Sequence, residues 1–239
     1  RVHGSLWGGA LVTLLLIGVG IQQWVSAERK TNLREQTQTA VEAMQNNLGL
    51  FNVEVRKYFD DEIKRRELNK TNQSEFDSIH VWKESWLEKW SVELFCDLFA
   101  TFTLGPAFIW SNIHMCTKMS WEVYKIPTFQ KSSHPPGEAR MKAILHGLEL
   151  VGFKEVKKEI QAKWEEFKVI VDHKKPTGFS VAVPDKLLKL AAEFCLVGTK
   201  QIGCDIISPE SKGKVCELLN NSWKQFWIDP ENFYEWEKE

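Results

Sequence analysis

The sequence predicts a mainly α-helical, membrane-attached protein, and three observations carry that expectation. Residues 4–27 contain no Asp, Glu, Lys, Arg or His. Beyond them, apolar residues recur mostly at spacings of three and four, the helical period. Only one stretch, Gly178-Phe-Ser-Val-Ala-Val, has the pattern of a strand.

The uncharged stretch comes first. Roughly 20 helical residues cross the ~30 Å hydrocarbon core of a bilayer, and backbone groups in lipid must bond within their own segment. Residues 1–27 are therefore expected to form a transmembrane anchor. A secretory leader is the competing assignment, but Ser26-Ala27 is only a loose cleavage match and the chain starts at Arg1 with the segment in place. Gly4 and Gly8 lie one helical turn apart, a spacing that lets two helices approach closely in lipid.

Residues 28–90 are expected to be helical and in part coiled coil. Val41, Met44, Leu48, Phe51, Val55 and Tyr58 form an a/d seam. Such a seam needs a partner, either the chain's own tail or a neighbouring subunit. Asp60-Asp61-Glu62 followed by Lys64-Arg65-Arg66 is a solvated face of i,i+4 ion pairs.

Residues 91–126 are a hydrophobic segment flanked by tryptophan, expected to form a helical hairpin or a second span. No Asp, Glu, Lys or Arg occurs from Leu98 to Thr117. Trp82, Trp86 and Trp90 recur on one helical face before it, and Trp110 and Trp121 follow. With Trp24, these are candidates for the membrane–water interface, where amphipathic rings collect. Asp97, Thr101, Asn112, His114 and the Gly105-Pro106 pair argue against spanning and for a buried or interfacial hairpin. Basic residues after the first span (Arg29, Lys30, Arg34) and after the second region (Lys118, Lys125, Lys131) fall on one side only if there is one span.

Residues 127–137, ending in Pro-Pro-Gly, are expected to be a linker. Residues 138–239 form a compact helical carboxy-terminal domain. Its expected helices run from Glu138 to Val171, with Gly147 and Gly152 as weak points, from Lys186 to Val197, and onward from Ser208-Pro209-Glu210. Asp229-Pro230-Glu231 repeats that start signal. Trp227, Phe233, Tyr234 and Trp236 make an aromatic tail that packs on the domain or docks on a partner.

Composition excludes several classes. A net charge of −1 gives no electrostatic pull toward nucleic acid. The 5 cysteines have neither Cys-x-x-Cys spacing nor the density of a secreted scaffold, so reduced thiols are expected. The nucleotide-binding, hydrolase-elbow and zinc-protease motifs are absent from the sequence. His114-x-Cys116 lacks further ligands at metal spacing.

Together these features lead to the expectation of a non-catalytic accessory subunit with no cofactor or metal. Its partners would be the bilayer and other subunits of a large organelle inner-membrane complex, such as a mitochondrial respiratory complex or ATP synthase. Gly4, Gly8, Val41, Met44, Leu48, Phe51, Val55 and the tail aromatics are the expected partner-binding residues. The alternatives are an intramembrane enzyme or carrier component using Asp97 and His114, and a membrane-tethered adaptor.

Overall fold

The computed structural model describes residues 29–68, 73–119, 122–211, 213–229 and 231–233. The expected anchor, with Gly4, Gly8 and Trp24, lies outside the described residues, as do Trp121, Tyr234 and Trp236. The described chain is helical and contains no strand.

Helix α1, Arg29–Leu68, runs for 40 residues without a proline, about 60 Å at the usual rise. Its expected seam finds a partner within the chain, helix α8, Asp185–Gln201. The two run antiparallel. Asn47 Nδ2 donates to Gln201 Oε1 at 2.7 Å, the Phe51 and Phe194 rings lie 6.3 Å apart, and Tyr58 Oη donates to the Val181 carbonyl just before α8. Phe51 and Val55 are fully buried. Gly198 permits the close approach, since a Cβ there would sit 2.7 Å from Met44 Sδ.

Helix α2, Gln73–Ser85, passes through a wider π turn, Trp86–Trp90, into α3, Ser91–Leu104. The amide of Ser91 bonds back to the Trp86 carbonyl, and its hydroxyl donates to the same oxygen. The expected tryptophan belt is corrected here: Trp82, Trp86 and Trp90 are buried in protein. Their indole N–H groups donate to the carbonyls of Pro127, Ala182 and Ser132, at 2.7, 2.8 and 3.1 Å. The expected linker thus lies as a strap along the tryptophan face. Ser85 accepts the Ser132 amide, and Lys131 pairs with Glu88.

The second hydrophobic region bends at Gly105, where α3 ends and α4, Pro106–Met119, begins. No helix among the described residues is long and apolar enough to cross a membrane. The apolar residues that suggested a second span, Leu94, Leu98, Phe102, Ile109 and Ile113, are buried in the protein's own core. Carbonyls freed at the end of α3 are satisfied from later in the chain: Ile207 donates its amide to Phe102, and Cys216 its thiol to Leu104.

Gly105 has φ +66°, and a Cβ there would lie 2.1 Å from Ile207 Cδ1. Gly105→Ala is therefore expected to destabilise the protein by about 2 kcal/mol or more, through backbone strain and displacement of Ile207. Urea denaturation of the full chain checks this.

The expected long helix from Glu138 is two helices, α5, Gly137–Leu150, and α6, Lys154–Val171. They are separated by a turn in which Gly152 takes φ +91°. The expected strand is a single helical turn, α7, Phe179–Ala182. Phe179, Ala182 and Val183 are buried at helical spacing. A lone strand would leave its backbone groups unpaired, whereas the turn pairs them locally and offers carbonyls to Trp86 and Tyr58.

Ser208-Pro209-Glu210 does not open a helix. Ser208 and Ser211 bond to each other in a tight turn, and helix α9 spans Gly213–Ile228. It packs on α4, leaving Val215 exposed. After it, Asp229 accepts the amide of Asn232, the pattern of a helix cap. One hydrophobic cluster joins α1, α3, α5, α6 and α8.

Candidate functional site

A buried ion pair lies between α3 and α5. Asp97 sits on the buried stripe of α3 with Leu94, Leu98 and Thr101, and Arg140 on α5 beside Ile144 and Gly147. Arg140 Nε and Nη2 donate to the two carboxylate oxygens of Asp97, both at 2.6 Å. The Asp97 side chain is 5% exposed and that of Arg140 12%. Burial works against the guanidinium charge, but the Asp97 carboxylate outweighs it and raises Arg140 above its ordinary value. One turn earlier, Glu93 lies 3.4 Å from His134 Nδ1, at the end of the strap.

Asp97, the candidate for intramembrane chemistry, is thus held in an ion pair inside the fold. Both its oxygens are held by Arg140 within the same chain. Arg140 is the residue missed from the sequence. Its signal was an arginine on an otherwise apolar helical stripe, matching an aspartate in the same situation.

A second cluster surrounds Glu138, also on α5. Its carboxylate accepts from Trp164 Nε1 at 2.7 Å and pairs with Lys168 at 3.3 Å. These bonds join α5 to α6 and leave the buried carboxylate fully engaged.

His114, the other candidate for intramembrane chemistry, is on α4 and stacks among Trp223, Phe226 and Trp227 of α9, its ring centroid 5.0 Å from that of Phe226. Trp110 packs 5.8 Å from Trp227, and Phe233 packs 5.6 Å from Phe226. The candidate tail residues Trp227 and Phe233 thus belong to an aromatic cluster that fixes α9 on α4. Between α6 and α9 a groove of about 640 Å³ remains, bordered by Trp110, Ile170, Trp227 and Ile228. Ile170 and Ile228 are well exposed.

The seam candidates have two environments. Phe51 and Val55 are core residues, whereas Val41, Met44 and Leu48 line an apolar cavity between α1 and α3. No group of three or more His, Cys, Asp or Glu among the described residues is arranged to hold a metal ion.

No disulfide joins the 5 cysteines. Burial, with help from Asp97 and Glu93, pushes the Cys96 thiol up to about 12. Burial likewise pushes Cys116 up to about 11, and Cys195 well above the ordinary value of 9.0. The unfolded chain therefore ionises these thiols near pH 9 while the folded chain keeps them neutral. Their contribution is fully present below pH 9 and is lost as pH rises toward the folded values. Each thiol is expected to weaken the fold by up to about 1.4 kcal/mol per pH unit above 9. Urea midpoints measured at pH 8, 9 and 10 check this, and Cys195→Ala should flatten the decline.

No family model, curated protein or solved structure matches the chain.

Proposed function

We propose that this chain is a membrane-attached accessory subunit of a multi-subunit complex, acting through binding and assembly. The observation that carries the proposal is the uncharged stretch 4–27, directly ahead of the long helix α1. An organelle inner membrane, mitochondrial in the first place, is the proposed location. That choice rests on near-neutral charge and cysteines without disulfide spacing.

Two structural features support a binding role. The buried charges Asp97 and Glu138 are neutralised within the chain, which suits a rigid scaffold. Exposed Ile170, Trp227 and Ile228 border the groove between α6 and α9, an apolar edge available to neighbouring subunits. The reading of an intramembrane enzyme is weaker, because it requires an Asp97 carboxylate not already claimed by Arg140.

The test is the native mass after mild detergent extraction, with mass spectrometry of the co-migrating band. Fixed-stoichiometry migration with a large membrane complex is the expected result. Migration as a lone 27.7 kDa chain in its micelle would overturn the proposal.

A further inference from the structure

The cavity between α1 and α3 has a volume of about 220 Å³ and opens partly to the surface. Val41, Met44 and Leu48 form one wall and Phe95, Cys96 and Phe99 the other, with Ile202 beyond the end of α8. Gln45 contributes the one carboxamide among the lining residues. The Cys96 thiol, held neutral by burial, adds no charge.

Apart from Gln45 and Cys96 the lining is apolar, so water in the cavity finds few polar partners on its walls. Apolar cavities of about 150 Å³ stay dry and take up benzene. This cavity is larger, so it suits an uncharged group of roughly octyl size.

We infer that the cavity is a binding site for a single hydrocarbon chain, the alkyl tail of a lipid or of a free amphiphile. The position of the cavity favours a lipid tail. The chain outside the described residues ends where α1 begins, and from Arg29 to Ala40, the first lining residue, is about 17 Å of helix axis. With stretch 4–27 in a bilayer, the cavity lies toward the membrane-proximal end of α1. The choice of a lipid source rests on the membrane-attachment proposal, whereas the alkyl chemistry of the site rests on the cavity alone.

The full chain, reconstituted in phosphatidylcholine nanodiscs, is to be photolysed with two probes in separate arms. One is phosphatidylcholine with a diazirine at the end of one tail, and the other is 1-octanol carrying a diazirine on its chain. The expected result is adducts on peptides holding residues 40–48 and 92–99 in the phospholipid arm. Ala40→Phe, which directs a ring into the cavity, should cut that yield by about tenfold or more, the equivalent of ~1.4 kcal/mol. Adducts elsewhere should be unchanged, and Leu48→Phe serves if the first variant does not fold.

Adducts at these peptides from octanol alone would support the alkyl site and overturn the bilayer as its source. A chain that does not enter nanodiscs would overturn membrane attachment, while the octanol arm, run in buffer, still tests the cavity. Absence of adducts at both peptides in both arms, or yields that the cavity-filling variants leave unchanged, would overturn the inference.

Discussion

Replacing Asp97 with alanine is expected to destabilise the protein by about 3–5 kcal/mol, because it strands the Arg140 guanidinium in the α3–α5 interface. The magnitude comes from asymmetry. An intact buried pair adds little net stability, since desolvation offsets most of its Coulomb energy, but a buried charge that loses its main partner keeps most of its desolvation cost. Removing both charges should therefore be much milder than removing one. Asp97→Leu combined with Arg140→Met is expected to fall within about 1 kcal/mol of the parent, or above it. Urea denaturation of Asp97→Leu, Arg140→Met and the double variant, followed by circular dichroism, measures the cycle. A single variant as stable as the parent would show that Arg140 reaches solvent and that the pair is no lock. Asp97→Asn should weaken the fold as well, because a neutral amide cannot balance the Arg140 charge.

The second large effect is expected at Trp86. Its side chain is fully buried and packs on Phe51 of α1 and Trp90, while its indole donates to Ala182. Trp86→Ala leaves a cavity where α1, the π turn and α7 meet, and should cost about 3–5 kcal/mol. Trp86→Phe keeps much of the ring volume but leaves the Ala182 carbonyl without its indole donor, adding about 1–3 kcal/mol for that group. Thermal unfolding of the pair separates packing from hydrogen bonding. A tryptophan in a membrane interface would give a different pattern, with little loss of fold stability and weakened membrane association.

The helical character of the chain was legible because amphipathic spacing is a local property. The seam of α1 was visible as Val41, Met44, Leu48, Phe51 and Val55, and the end of α3 as Gly105-Pro106. The break between α5 and α6 was visible only as Gly147 and Gly152, two weak points of which the second adopts the positive φ. The strand expected at Gly178 misled because Phe179, Val181 and Val183 alternate over too few residues to distinguish period two from one helical turn. The start expected at Ser208 misled because Ser208 caps a turn as well as it caps a helix.

The candidate site was half legible. Asp97 stood out in the sequence as a carboxylate among apolar residues, yet its partner lay far along the chain. The tryptophans stood out by number and spacing. An indole has the same reason to sit at a membrane interface as over a backbone carbonyl, since its ring is apolar and its N–H needs an acceptor.

The sequence by itself determined what depends on neighbours within a few residues: the mainly helical character, the break at Gly105-Pro106, the uncharged stretch 4–27 and the absence of a recognised catalytic motif. Tertiary structure alone decided the partners. It set the α1 seam against α8, Asp97 against Arg140, and three indoles against Pro127, Ala182 and Ser132. The physical reason is that hydrophobic stripes and single polar groups state a need for burial or pairing without naming what meets it. That choice is made by the packing of helices distant in sequence.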